Sequence, residues 1–160
     1  MIGPRAVIVA LCLLFSLTQA AYAADQDWIA KLPAPAPGMG RIFIYRVPGF
    51  LGGAFQPAIY VNGTKIGDAE MHRVHVIDRP PGDYEVRIRL EGTWRVNVPL
   101  AAGEIRYVRL VTYPEVFTPR IEPQLKDSSA GAAEVQGIER GKTFETLSVP
   151  EDPPFQPAKP

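Results

Sequence analysis

From residue 40 onward the chain alternates between apolar and polar positions in short runs. IFIY (Ile42 to Tyr45), AIYV (Ala58 to Val61), RVHVI (Arg73 to Ile77), YEVRIRLE, WRVNVPL and IRYVRLV (Ile105 to Val111) are rich in β-branched and aromatic residues and are separated by Gly, Pro or Asn. In a strand, Tyr84, Val86, Ile88 and Leu90 share one face and Glu85, Arg87, Arg89 and Glu91 the other. The next run repeats the pattern, with Trp94, Val96, Val98 and Leu100 facing inward. Pairing Leu90 with Trp94, Ile88 with Val96, Val86 with Val98 and Tyr84 with Leu100 makes every inward pair apolar, whereas a slip by one residue would bury charge. That register places Thr93 last in the connecting Glu91-Gly92-Thr93, where a common three-residue hairpin loop has glycine.

Turn chemistry completes the pattern. Asn62-Gly63 predicts a tight hairpin between AIYV and TKIGD, and Pro81-Gly82 predicts a type II turn reversing the chain between RVHVID and YEVRIRLE. One short helix is expected in SSAGAAEVQGIE, with Asp127 or Ser128 as cap and two internal glycines weakening it. The fold class expected is all-β, an antiparallel sandwich of about seven strands, prealbumin-like or Ig-like.

The flanks read differently. MIGPRAVIVALCLLFSLTQAAYA has a basic residue at Arg5, an apolar run from Ala6 to Leu17 and small residues at Ala21 and Ala23, the pattern of a secretory signal cut between Ala23 and Ala24. The run is shorter than the roughly 20 residues of a membrane-spanning helix, and no later segment matches it, so a mature chain without a transmembrane helix is expected in the periplasm or outside the cell. Leu11 before Cys12 and the continuing apolar run argue against a lipid anchor. The expected organisation is signal peptide 1–23, a Pro/Ala-rich linker 24–39, a sandwich domain 40–149, and a Pro-rich disordered tail 150–160. About a hundred residues suffice for one domain.

Composition removes several chemistries. Cys12 is the one cysteine, so cleavage would leave no thiol and no disulfide. With 17 Lys+Arg against 17 Asp+Glu and no basic run, nothing points to nucleic acid. His72, His75 and Asp78 form H-x-x-H-x-x-D, but a strand through them sends the two imidazoles to opposite faces, so no metal is expected. Ser128, Ser129 and Ser148, the serines after the signal, lie outside any nucleophile-elbow motif, and VPGFLGGAF lacks the lysine and the spacing of a phosphate-binding loop. A non-enzyme without cofactor is the reading.

The runs GRIFIYRVPGF, AIYVNGTKIGD, DRPPGDYEVRI and LAAGEIRYVRL resemble the bacterial family called domain of unknown function 2846. The resembling elements are Tyr45-Arg46, the glycines from Gly49 to Gly53, Asn62-Gly63 with Ile66-Gly67, Pro81-Gly82, and Gly103 before Tyr107. The resemblance implies a small envelope sandwich, often lipid-anchored in that family, and it transfers no catalytic residue. The expected role is an envelope accessory or protein-interaction module with an unknown envelope protein or glycan as partner; the alternative is a small-ligand or carbohydrate-binding module, and a hydrolase comes last. The candidate interaction loop comprises Phe50, Leu51 and Phe55, with Tyr60 beside it, against the plainer reading that these residues plug the end of the sandwich.

Overall fold

A computed structural model describes residues 28–47, 49, 53–89, 92–138 and 145–146. The chain divides into two compact units, Met1–Pro33 and Ala34–Pro160. In the first, the N–H groups of Lys31 and Leu32 close turns onto the carbonyls of Trp28 and Ile29. The second unit holds the strands and the helix.

Its strands are β1 (Gly40–Tyr45), β2 (Ala58–Val61), β3 (Thr64–Asp68), β4 (Val74–Arg79), β5 (Gly82–Arg89), β6 (Thr93–Leu100), β7 (Ile105–Tyr113), β8 (Arg120–Lys126) and the two-residue β9 (Glu145–Thr146), with one helix, α1 (Ser128–Gln136), between β8 and β9. They form two sheets, ordered β8-β7-β1-β4-β9 and β3-β2-β5-β6. The pairing is antiparallel except for β1 with β7 and β4 with β9. The expected all-β sandwich is the fold found. Ile42, Ile44, Val108, Leu110 and Ile121 of the first sheet meet Ile59, Val61, Val86, Ile88 and Val98 of the second in one buried cluster. Closure of that cluster is the main favourable term in folding a chain of this size.

The five-stranded sheet is covered on its outer face too, which explains why all six residues of β1 are buried. Helix α1 lies there. Asp127 caps it by accepting from the N–H groups of Ser129 and Ala130, as the sequence predicts. A Cβ at Gly131 would collide with Tyr107, so glycine is what allows the helix to rest on that ring. Tyr107 in turn stacks on Phe43 with ring centroids 5.2 Å apart.

Asn62 (φ 46) and Gly63 (φ 86) form the expected hairpin turn, and Asn62 adds a side-chain acceptor for the Glu85 N–H at 2.8 Å. The Pro81-Gly82 expectation is corrected. Gly82 is the first residue of β5, outside the positive-φ glycines, and β4 and β5 lie in different sheets, so Pro80-Pro81 carries the chain across the sandwich instead of reversing it. The Tyr84 hydroxyl donates to the Pro80 carbonyl at 2.7 Å and braces this corner, a device known from other sandwiches. A type II turn does occur at Pro37-Gly38, where Gly38 has φ 82 and the Met39 N–H donates to the Ala36 carbonyl.

The β5/β6 hairpin also differs in register. Ile88 opposes Trp94, Val86 opposes Val96, Tyr84 opposes Val98 and Gly82 opposes Leu100. This is a shift of two residues from the expected pairing, so the paired side chains from Tyr84 to Arg89 and from Trp94 to Leu100 keep their expected faces. Arg89 opposite Thr93 leaves Leu90, Glu91 and Gly92 as the connection, with glycine last. A Cβ on Gly92 would collide with the Trp94 indole, which lies over that glycine. Trp94 and Val96 are half-buried, so the inward face of β6 dries out only towards Val98 and Leu100.

Pro123 interrupts the alternation of β8, so the sequence pattern does not announce this strand. It occupies a sheet edge, where a missing backbone donor is tolerated.

Candidate interaction surface

The parallel pairing of β1 with β7 brings the ends of both strands to one pole of the sandwich. β4 begins there, because Tyr45 pairs with Val74. Ala58 at the start of β2 pairs with Arg89 at the end of β5, which brings the strand ends that flank 46–57, 69–73, 90–92 and 114–119 to that pole. Loops held by a rigid sheet are the usual place for recognition.

Arg46 organises this end. It is only 1% exposed, and its Nη1 donates to the Phe55 carbonyl at 2.7 Å and to the Ala69 carbonyl at 2.7 Å, while Nη2 donates to Thr112 Oγ1 at 3.0 Å. One guanidinium thus ties two loops to β7. Burial pulls its pKa below the usual arginine value. Backbone bonds reinforce the tie: Arg46 N donates to the Arg73 carbonyl, and His72 N donates to the Arg46 carbonyl.

Of the sequence-predicted loop residues, Phe50 and Leu51 lie outside the described residues. Phe55 is half-buried and packs against the core cluster. Tyr60 projects from the outer face of the four-stranded sheet, where the Arg87 guanidinium sits 5.4 Å from its ring centroid. Phe55 and Tyr60 therefore do not join in one aromatic platform.

Among the described residues, two that the sequence does not single out dominate the pole. Val116 is 90% exposed and Phe117 is 92% exposed, on the connection between β7 and β8. The base of this tip is fixed: Arg120 stacks over Tyr113 at 4.7 Å and pairs with Glu115 and Glu122, each at 3.2 Å. In the sequence, Val116-Phe117 sits within PEVFTP and reads as a turn, so the available signal was an apolar pair where polar turn residues are usual.

The histidines stand apart from the tip. His72 lies in the turn before β4 with φ 61, outside the strand expected to run through it. His75 is buried, with Nε2 3.1 Å from the Asp68 carbonyl oxygen. Among the described residues, no group of three or more His, Cys, Asp or Glu is arranged to hold a metal ion.

On the outer face of the five-stranded sheet, Glu134 of α1 accepts from the Tyr45 hydroxyl at 2.7 Å and from Arg109 Nη1 at 2.8 Å. Burial first, and the Glu134 carboxylate next, push the Tyr45 phenol far above its ordinary pKa. A phenol held neutral in this way fastens the helix and is poorly suited to act as a base.

No curated protein and no solved structure gives a significant match to the chain. A family model matches residues 36–118, from before β1 to just past the Val116-Phe117 tip, and leaves β8 and α1 outside it. That match covers 83 of the 160 residues, and the chain belongs to the family it describes, Protein of unknown function (DUF2846).

Proposed function

We propose that the chain is an exported, non-enzymatic sandwich of the cell envelope that holds a partner protein at its loop pole. The observation that carries this reading is the Val116-Phe117 tip, 90% and 92% exposed on a base fixed by Arg120 and Tyr113. Burying each of these side chains against a partner would contribute about 1.5–3 kcal/mol. Neither has an evident task in the domain's own core. Anchoring the neighbouring loops through Arg46 keeps the pole preorganised, which lowers the entropic cost of association. The secretory pattern of residues 1–23 supports export, and mass spectrometry of the purified protein should find Ala24 as its first residue.

A photo-cross-linking amino acid at position 117 tests the contact in expressing cells, with position 105 as the control. Ile105 is 38% exposed at the opposite pole, where β7 begins. A discrete adduct from 117 and none from 105 is expected. Equal labelling from both positions would contradict a specific site, as would no labelling from 117.

A further inference from the structure

The register of the four-stranded sheet creates a feature that the sequence hides. Tyr60 pairs with Lys65 on one side and with Arg87 on the other, and Arg87 pairs with Arg95. Lys65, Tyr60, Arg87 and Arg95 therefore form one row straight across all four strands, on the face turned away from the core. With strands about 4.8 Å apart, the row is about 14 Å long. Its cations come from three separate stretches of sequence, so no basic run announces them.

Two arginines directly opposite each other on adjacent strands cost stability unless a counter-charge intervenes. Glu85 supplies only one, with Oε2 3.5 Å from Arg95 Nη1 and Oε1 4.0 Å from Arg87 Nε. The Arg95 side chain is 71% exposed and that of Arg87 36%, so both side chains reach solvent, although Arg87 Nε itself is buried. Stacking on Tyr60 holds the Arg87 fork in place. A planar fork held this way matches a carboxylate in two-point contact.

The flanking rows are not cationic throughout. Asn62, Glu85 and Asn97 lie on one side, and Asp68, Ala58, Arg89 and Thr93 on the other, with Asp68 paired to Lys65 at 2.9 Å. The positive stripe is thus one residue wide except at Arg89, which adds a cation at the end of β5, and Glu85 and Asp68 border it as hydrogen-bond acceptors. We propose that this face binds a linear, carboxylate-bearing polysaccharide laid across the strands along Lys65, Tyr60, Arg87 and Arg95. The carboxylates meet the cations, and the sugar hydroxyls donate to Glu85 and Asp68. A broad anionic lipid surface would press against those acids, and an acidic peptide would set further carboxylates beside them. This surface is separate from the loop pole, and the inference does not rest on the partner assigned there.

Native gel electrophoresis of the full chain through polygalacturonate, dextran or poly-glutamate tests it. Polygalacturonate should retard the chain, with an effect that fades as salt is added, while dextran should not. Arg87→Gln with Arg95→Gln should weaken retardation about tenfold or more. Arg106→Gln, which removes the same kind of charge from β7, should leave it unchanged. Arg95→Gln alone changes a side chain largely in solvent and keeps the test readable should the double variant fold poorly. Parent-like retardation of the arginine variants would overturn the proposal. Equal retardation by dextran would do the same, and retardation by poly-glutamate as strong as by polygalacturonate would point instead to an acidic peptide.

Discussion

The Tyr45 hydroxyl donates to Glu134 Oε2 at 2.7 Å, joining the end of β1 to α1, a helix that follows the family-matched region. Tyr45→Phe removes this bond to a charged acceptor, and a cost of about 1.5–2 kcal/mol is expected in urea unfolding. The pH dependence has a definite sign. Burial raises the pKa of both Tyr45 and Tyr107, so the folded state favours the neutral phenols. Their contribution is complete below the free tyrosine value of about 10 and is lost as pH rises beyond it. Unfolding midpoints measured between pH 8 and 11.5 should fall at the alkaline end, and less steeply in Tyr45→Phe.

Arg46 is the second anchor. Arg46→Met fills much of the same space but leaves the carbonyls of Phe55 and Ala69 without their charged donor. A loss of about 3 kcal/mol is expected, because buried acceptors deprived of a donor bear a desolvation penalty. A loss under about 1 kcal/mol would show that the loops hold without it.

Two glycines of the helical region should respond oppositely to alanine. At Gly131 the new methyl meets Tyr107, so crowding of about 1–3 kcal/mol should outweigh the gain in helix propensity. At Gly137, with φ −74 and its nearest neighbours at 3.6 Å, alanine should be neutral or stabilising by up to about 1 kcal/mol. Thermal melts of the two variants give the comparison directly.

The face assignment of β5 has its own contrast. Val86 is fully buried opposite Val96, so Val86→Asp places an unpaired carboxylate in the core and should cost more than about 4 kcal/mol, enough to unfold the domain. Arg87→Ala on the other face should stay within about 0.5 kcal/mol of the parent. Circular dichroism of the two purified variants checks both.

How far the fold could be read in advance follows from the physics of each segment. Alternation in YEVRIRLE and WRVNVPL reveals which side chains face inward, because a face depends only on odd or even position. Register is a finer quantity, since a shift of two residues exchanges one set of apolar pairs for another and leaves every face unchanged. The placement of Gly92 at the end of the connection was the signal for the true pairing, and that pairing sets Arg87 opposite Arg95. The parallel contact of β1 with β7 joins segments some sixty residues apart and has no local signature. Pro123 hides β8, which tolerates it only by being at an edge. At the candidate surface, Phe55 and Tyr60 stood out as aromatic residues beside glycines, yet aromatic character does not reveal exposure. Val116-Phe117 escaped because two apolar residues between prolines are too short a run to carry a period.

Whether the Val116-Phe117 tip serves another molecule or its own domain can be decided by the melting temperature of a Val116→Ser, Phe117→Ser double variant. Side chains 90% and 92% exposed hold nothing in the core, so the variant should melt within about two degrees of the parent, or slightly above it. A fall of ten degrees or so would mean that the two residues pack into the sandwich, and the proposed partner surface would not exist.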